Sequence, residues 1–231
     1  MPAISLRLAV PADAAQIAEI YNHEVMHTVA TFDLVPRSLE EQQEWLAARS
    51  GAFAAIVAVE AGVEHGAEIV GFGALSPYKE RAAYRTSVEN SVYVRRDRHG
   101  QGVGRLLLEE LLSMAELSGF HAVFARINAS GEASIALHRR CGYELVGIER
   151  EVGRKFSRWH DVALMQRLLL EELLSTAANS GFHAVFARIN ASGEASIALH
   201  RRCGYELVGI EREVGRKFSR WHDVALMQRL L

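Results

Sequence analysis

SVYVRRDRHGQGVGRLLLEELL, residues 91–112, runs from an apolar stretch through clustered glycines into apolar residues at helical spacing. Ser91 to Val94 read as the end of a strand. Val103, Leu107, Leu111 and Met114 share one face of a helix that Gly119 stops. A strand that passes through glycines into a helix leaves backbone N–H groups free at the positive helix end, where they face a single anionic ligand. Glycines alone also make ordinary turns. Here Arg95, Arg96, Arg98 and Arg105 surround them, adding charge that a turn does not need and that a pyrophosphate or 3′-phosphate would use. The stretch lacks the GK[ST] of a P-loop and does not follow the first strand as a dinucleotide fingerprint does. The expected ligand is a different phosphate-bearing cofactor.

Residues 105–169 return almost letter for letter as residues 167–231, differing only at Met114/Thr176, Glu116/Ala178 and Leu117/Asn179. What precedes each copy is unrelated, and only the first follows the glycine loop, so one active site is expected. Residues 1–169 read as a complete domain. Residues 170–231 read as a half-domain, a repeat of 108–169 without its own cofactor loop. Thr176 and Asn179 make the end of the second helix more polar, which implies that the copies have different surroundings. The apolar faces of copy two require cover. They are expected to pack on the first domain or on another chain, or to exchange with copy one.

The chain of 231 residues carries a formal net charge of −2, which gives nucleic acid no polycation to hold. Cys141 and Cys203 are one position seen twice, which suits a reducing cytoplasm and offers neither a disulfide framework nor zinc spacing, so no metal is expected. Arg7 and Asp13 interrupt anything like a signal peptide near Met1, and Glu109 and Glu110 break Leu106 to Leu112, so no membrane segment is expected.

Ile4, Leu6, Leu8 and Val10 alternate as in a half-buried strand, and Pro11 and Asp13 open a helix with Ile17, Ile20 and Tyr21 on one face. After a loop from Thr28 to Arg37, Ser38 and Glu41 form a capping box for a second helix ending near Gly51. Phe53–Val63 and Glu68–Leu75 predict a hairpin turning at Gly66, and Ser87–Arg95 a fourth strand. Beyond Gly119 follow a strand (Ala122–Ile127), a short helix (Ala133–Cys141, stopped by Gly142) and two strands (Tyr143–Val152 and Arg158–Gln166), a series that residues 183–231 repeat.

HGQGVG (99–104) matches the [QR]xxGx[GA] signature at both glycines, so the chain resembles the GNAT superfamily of N-acetyltransferases. IYNHEV, VENSVYV, ASIALHRRCGY and VGRKFSRWHDVALMQ extend the resemblance over residues 1–169, to the phosphinothricin and methionine sulfoximine acetyltransferases. It implies an α/β fold, a mixed, mostly antiparallel sheet flanked by helices. Acetyl-CoA would lie where the fourth and fifth strands splay, with its pyrophosphate on the N–H groups of Gly100, Gln101, Gly102, Val103, Gly104 and Arg105. Arg98 would assist there, and Val92, Tyr93 and Val94 would meet the pantetheine as an added strand does. Ser134 would lie beside the same arm. Two positions depart from the pattern: His99 stands where glutamine or arginine is usual, and Gly131 where an asparagine meets the pantetheine.

Acetylating an amine requires a carboxylate that takes the ammonium proton, and Glu89 stands at the position of the family's catalytic glutamate. The departing thiol has a reference pKa of roughly 8.5, so a weak acid suffices. His138 stands where related enzymes often carry a tyrosine beside the sulfur. For an amino-acid carboxylate, Lys79, Arg81 and Tyr84, with Arg85, precede the strand of Glu89. Lys155, Phe156, Arg158 and Trp159 resemble the last hairpin of the family, which lines the acceptor pocket, often across a dimer. Cys141 reads as a small buried residue. The expected activity is acetyl transfer to the primary amine of a small amino-acid-like compound by a cytoplasmic homodimer. A peptide or ribosomal-protein acetyltransferase, or a CoA-binding or assembly module without turnover, remains open at this point.

Overall fold

The alternation at the start of the chain makes β1 (Ile4–Leu8), antiparallel to β2 (Ile56–Glu60). It stops at Leu8 rather than Val10 because the buried Asp13 carboxylate accepts the Val10 N–H at 2.8 Å and two Arg7 bonds at 2.6 and 2.8 Å, which turn the chain. A 3₁₀ turn (Pro11–Asp13) then leads into α1 (Ala14–His27), which buries Ile17, Ile20 and Tyr21. The capping box forms as read: Ser38 Oγ accepts the Glu41 N–H at 3.1 Å and Glu41 accepts the Ser38 N–H at 2.7 Å, opening α2 (Leu39–Ala47). The computed structural model describes residues 4–60, 68–169, 174, 177–217 and 220–231, so the expected turn at Gly66 and the Thr176 substitution lie outside the described residues.

β3 (Glu68–Pro77) pairs antiparallel with β2 and with β4 (Ser87–Val94), and a glycine loop leads from β4 into α3 (Val103–Leu117). β5 (Ala122–Asn128), α4 (Glu132–Arg140), β6 (Glu144–Lys155) and β7 (Arg158–Leu168) complete a seven-stranded sheet of order β1-β2-β3-β4-β5-β7-β6. Every neighbour pair is antiparallel except β4 and β5. These two share only the pairs Ser87↔Ala122, Val88↔Val123 and Glu89↔Phe124, after which β5 follows β7 as far as Asn128↔Val162. The sheet therefore forks beyond Glu89. On one face, Tyr21 of α1 and Trp45 of α2 pack edge-on against the stacked rings of Phe72 and Tyr93. α3 packs on β3 and β4 with Leu107, Leu108 and Leu111 fully buried. No helix among the described residues is long and apolar enough to cross a membrane.

The chain divides into two units, Met1–Leu168 and Leu169–Leu231. In the second, β8 (Ala184–Asn190), α5 (Glu194–Arg202), β9 (Glu206–Lys217) and β10 (Arg220–Leu230) repeat the elements from β5 to β7 as a sheet of order β8-β10-β9. Leu174, Ile189, Cys203, Tyr205 and Met227 form its small core. Copy one supplies three strands of the large sheet; copy two makes a separate sheet.

Candidate active site

Glu89 lies in the last parallel pair before the fork, half-buried, opposite Phe124 on β5 and Ser76 on β3. Burial raises its carboxyl pKa above the usual glutamate range; Arg126 opposes that shift and Glu149 adds to it. Arg126 and Glu149 pair with each other at 2.8 Å. A carboxylate whose charged form is disfavoured takes a proton readily, the property a general base needs.

Beyond the fork, Gly100 and Gly102 adopt φ of +74° and +87°, a left-handed conformation that costs a side chain steric strain. Among the described residues, no acceptor takes the N–H groups of Gly100 to Gly104, whereas the Arg105 N–H turns back to the Gly102 carbonyl at 3.0 Å. These N–H groups lie at and just before the positive N-terminal end of α3. The surrounding arginines are occupied differently from the sequence reading. Arg98 binds the buried Glu60 at 2.7 and 3.1 Å, and Arg96 binds the buried Glu24 at 2.6 and 2.8 Å. Arg95 is held by Glu68 and Asp97, and Arg105 by Glu109 at 2.7 Å. Carboxylate partners thus neutralise the arginines and brace the loop, leaving the backbone as its unpaired donor set. The Gln101 side chain folds back onto the Asp97 carbonyl at 3.0 Å.

Val92 and Val94 point toward α3, but the Tyr93 ring lies among Tyr21 and Phe72, so Tyr93 offers the fork only its main chain. Ser134 lies in the first turn of α4, and its carbonyl accepts the His138 Nδ1–H at 2.8 Å. Nε2 therefore carries no proton and accepts from Asn90 Nδ2 at 3.1 Å, while Asn90 Oδ1 accepts the Tyr143 hydroxyl at 2.9 Å. All three side chains are buried, and burial pushes the His138 pKa below its usual value. The acid role expected of His138 does not fit a neutral imidazole with both nitrogens engaged. It lies beside the strand of Glu89, bonded to the Asn90 side chain next to it.

The 28–38 loop and the β6–β7 hairpin meet. The Lys155 ammonium donates to the carbonyl of Thr31 at 2.7 Å and of Glu24 at 3.5 Å, and is buried there. Gly153 makes room for the Phe32 ring, since a Cβ at 153 would come within 2.5 Å of it. Lys155 thus ties the β6–β7 hairpin to the 28–38 loop, a different task from the substrate contact expected of it. Tyr21 pins the same loop, donating to Asp33 at 2.5 Å. On the other side, Lys79 lies 4.9 and 5.1 Å from the ring centres of Tyr78 and Tyr84, and Tyr78 stacks on Phe124 at 4.0 Å. Arg81 precedes the 3₁₀ turn Ala82–Tyr84 and is exposed. Phe156 and Trp159 are exposed at the hairpin end. Tyr78 and Arg126 escaped the sequence reading; their signal was strand parity, which puts Phe124 opposite Glu89 and Arg126 on the same face.

The Acetyltransferase (GNAT) domain model matches residues 6–164, and matches again over 163–226. The chain belongs to the GNAT acetyltransferase family. Among its relatives, a phosphinothricin N-acetyltransferase of Streptomyces coelicolor is 39% identical over 72% of this chain and 96% of its own. An L-methionine sulfoximine/L-methionine sulfone acetyltransferase of Pseudomonas paraeruginosa is 38% identical over 70% of this chain and 92% of its own. The solved phosphinothricin acetyltransferase of Sinorhizobium meliloti, in complex with acetyl-CoA, superposes with a TM-score of 0.67 at 37% identity, covering 71% of this chain and 88% of that one.

Both departures from the GNAT pattern have local structural reasons. His99 Nε2 donates to the Val94 carbonyl at 2.9 Å, tying the loop to the end of β4. At Gly131 a Cβ would sit 3.0 Å from the Asn128 carbonyl and 3.3 Å from Ile127, so an asparagine there would force its neighbours apart. Asn128 Oδ1 accepts from Ser130 N–H and Oγ at 3.0 and 2.6 Å, which leaves the buried Nδ2 without a partner. An orphaned buried donor at the end of β5 suits a carbonyl acceptor.

Proposed function

We propose that the chain is an acetyl-CoA-dependent N-acetyltransferase for the primary amine of a small amino-acid-like compound of the phosphinothricin or methionine sulfoximine type. The single observation that carries the chemistry is the half-buried Glu89 carboxylate at the last strand pair before the fork. The residues present fit the cosubstrate. The N–H groups of Gly100 to Gly104 would hold the pyrophosphate, the main chain from Val92 to Val94 and the Asn128 amide would hold the pantetheine, and Ser134 would flank it. Acetyl-CoA supplies an activated acetyl thioester. Glu89 takes the ammonium proton, directly or through one water, so that the neutral amine attacks; the N–C bond forms as the C–S bond breaks. His138, Asn90 and Tyr143 fix the strand that aims Glu89, and the departing thiolate needs only a weak acid.

Lys79, Arg81 and Tyr84 offer cationic and hydroxyl groups to the substrate's acid group. The names of the relatives support an amino-acid-like substrate. The loop held by Lys155 supports a closed pocket over the open groove a peptide requires. The enzyme works in the cytoplasm as a homodimer, and its repeated segment arose by tandem duplication, a reading that the second match of the family model supports. Turnover of acetyl-CoA with methionine sulfoximine and phosphinothricin, against a peptide panel, tests the proposal: small amines should be acetylated and peptides not. The reverse preference, or binding of acetyl-CoA without any transfer, would overturn it.

Two further outcomes are expected. Only the carboxylate form of Glu89 accepts a proton, and burial raises its pKa, so the acidic limb of kcat/KM should lie at higher pH than for an ordinary glutamate. A pH–rate profile flat down to the normal glutamate range would contradict this. Lys155→Met removes a charged donor from the 28–38 loop, and such bonds contribute about 1.5–3 kcal/mol. The KM for the amine should therefore rise about ten-fold or more, with that for acetyl-CoA unchanged.

A further inference from the structure

β5 and β8 carry the same letters, AVFARIN, in different surroundings. β5 lies between β4 and β7, with Phe124 stacked on Tyr78. β8 has β10 as its one strand neighbour among the described residues, and Phe186 is 57% exposed. The opposite edge shows no such change. β6 ends the large sheet as β9 ends the small one, and Val146 and Val208 are both 54% exposed. Among the described residues, the second edge of β8 has no strand paired to it.

From this we infer that β8 is a self-association edge, joining two copies of the chain through β8 against β8 in an antiparallel pair. Stoichiometry selects the occupant. Each chain holds one β4 and two strands cut to fit it, so exchanging copies between chains always leaves one such strand per chain uncovered. Two uncovered β8 edges can cover each other. The strand is also self-complementary about a two-fold axis at Ala187. Val185 then meets Ile189 of the second copy on the face that packs on the small core, and Phe186 meets its Arg188 on the other face, where the ring covers the guanidinium that Glu211 holds at 2.5 Å. An edge strand leaves every second N–H and C=O pointing outward, and antiparallel pairing satisfies them, giving one six-stranded sheet.

The inference deepens the homodimeric part of the proposed function and does not depend on the chemistry at Glu89. Sedimentation of the full chain at micromolar concentration should show dimers. Phe186→Lys, which replaces the ring over the Arg188–Glu211 pair by a charge that the seam would have to bury, should give monomers that keep acetyl-transfer activity, whereas Val208→Lys on the other edge should remain dimeric. Ala187→Cys should form a covalent dimer on mild oxidation, because directly opposed antiparallel residues lie within disulfide reach. A monomeric wild-type chain would overturn both the edge and the homodimer. Dimers that survive Phe186→Lys, or Ala187→Cys that does not cross-link, would overturn the edge alone.

Discussion

Glu89→Gln is expected to lower kcat/KM for the amine by about 10²–10⁴, the usual contribution of a positioned acid–base group. The substitution keeps the shape of the side chain and removes its ability to take a proton. Binding of acetyl-CoA should be unaffected, because the N–H groups of Gly100 to Gly104 lie beyond the fork from Glu89. The same variant should be more stable than the wild type near neutral pH. Burial raises the pKa of Glu89 in the folded chain, so its contribution to stability is fully present below the unfolded-state pKa and is lost as pH rises through the folded one. A neutral amide escapes that loss. Activity falling while stability rises is a signature that a merely structural glutamate would not produce. A variant that retains more than about a tenth of wild-type kcat/KM would remove Glu89 from the role of base.

Asn90→Ala is expected to lower the unfolding free energy of residues 4–168 by about 2–6 kcal/mol. The change orphans two buried groups at once, the Tyr143 hydroxyl and His138 Nε2, and each such group costs about 1–3 kcal/mol. Denaturant unfolding monitored on the first unit measures it. A loss below about 0.5 kcal/mol, typical of surface positions, would mean that the network does not hold the strand. The acidic limb of the pH profile should survive in His138→Gln even where kcat falls, if the proposed role holds and the imidazole, with both nitrogens engaged, positions Glu89 without exchanging the proton.

Much of the fold was legible because its signals are local. The Ser38/Glu41 box marked α2, alternation marked β1, and the glycines at 100 and 102 marked the loop that their left-handed backbone requires. Element ends were less legible. β1 ends early because Asp13 captures the Val10 N–H, and β2 starts at Ile56 because Gly51–Phe53 form a 3₁₀ turn. The position of Glu89 was readable from its motif, but the partners that decide its acidity, Arg126 and Glu149, lie on other strands. The arginines around the loop were readable as charge. That Glu24, Glu60, Glu68 and Glu109 pair with them was not, because most of those partners come from distant segments.

The repeat separates what letters fix from what they do not. By itself the sequence determined that AVFARIN forms a strand, that a short helix follows ending at a glycine, and that a hairpin closes the series, and both copies obey. Only the tertiary structure decided that one copy extends a seven-stranded sheet and completes a fork at Glu89 while the other stands as a three-stranded sheet with Phe186 in solvent. The reason is that strand formation depends on neighbours in the chain, whereas burial depends on a partner strand, and β4 exists once.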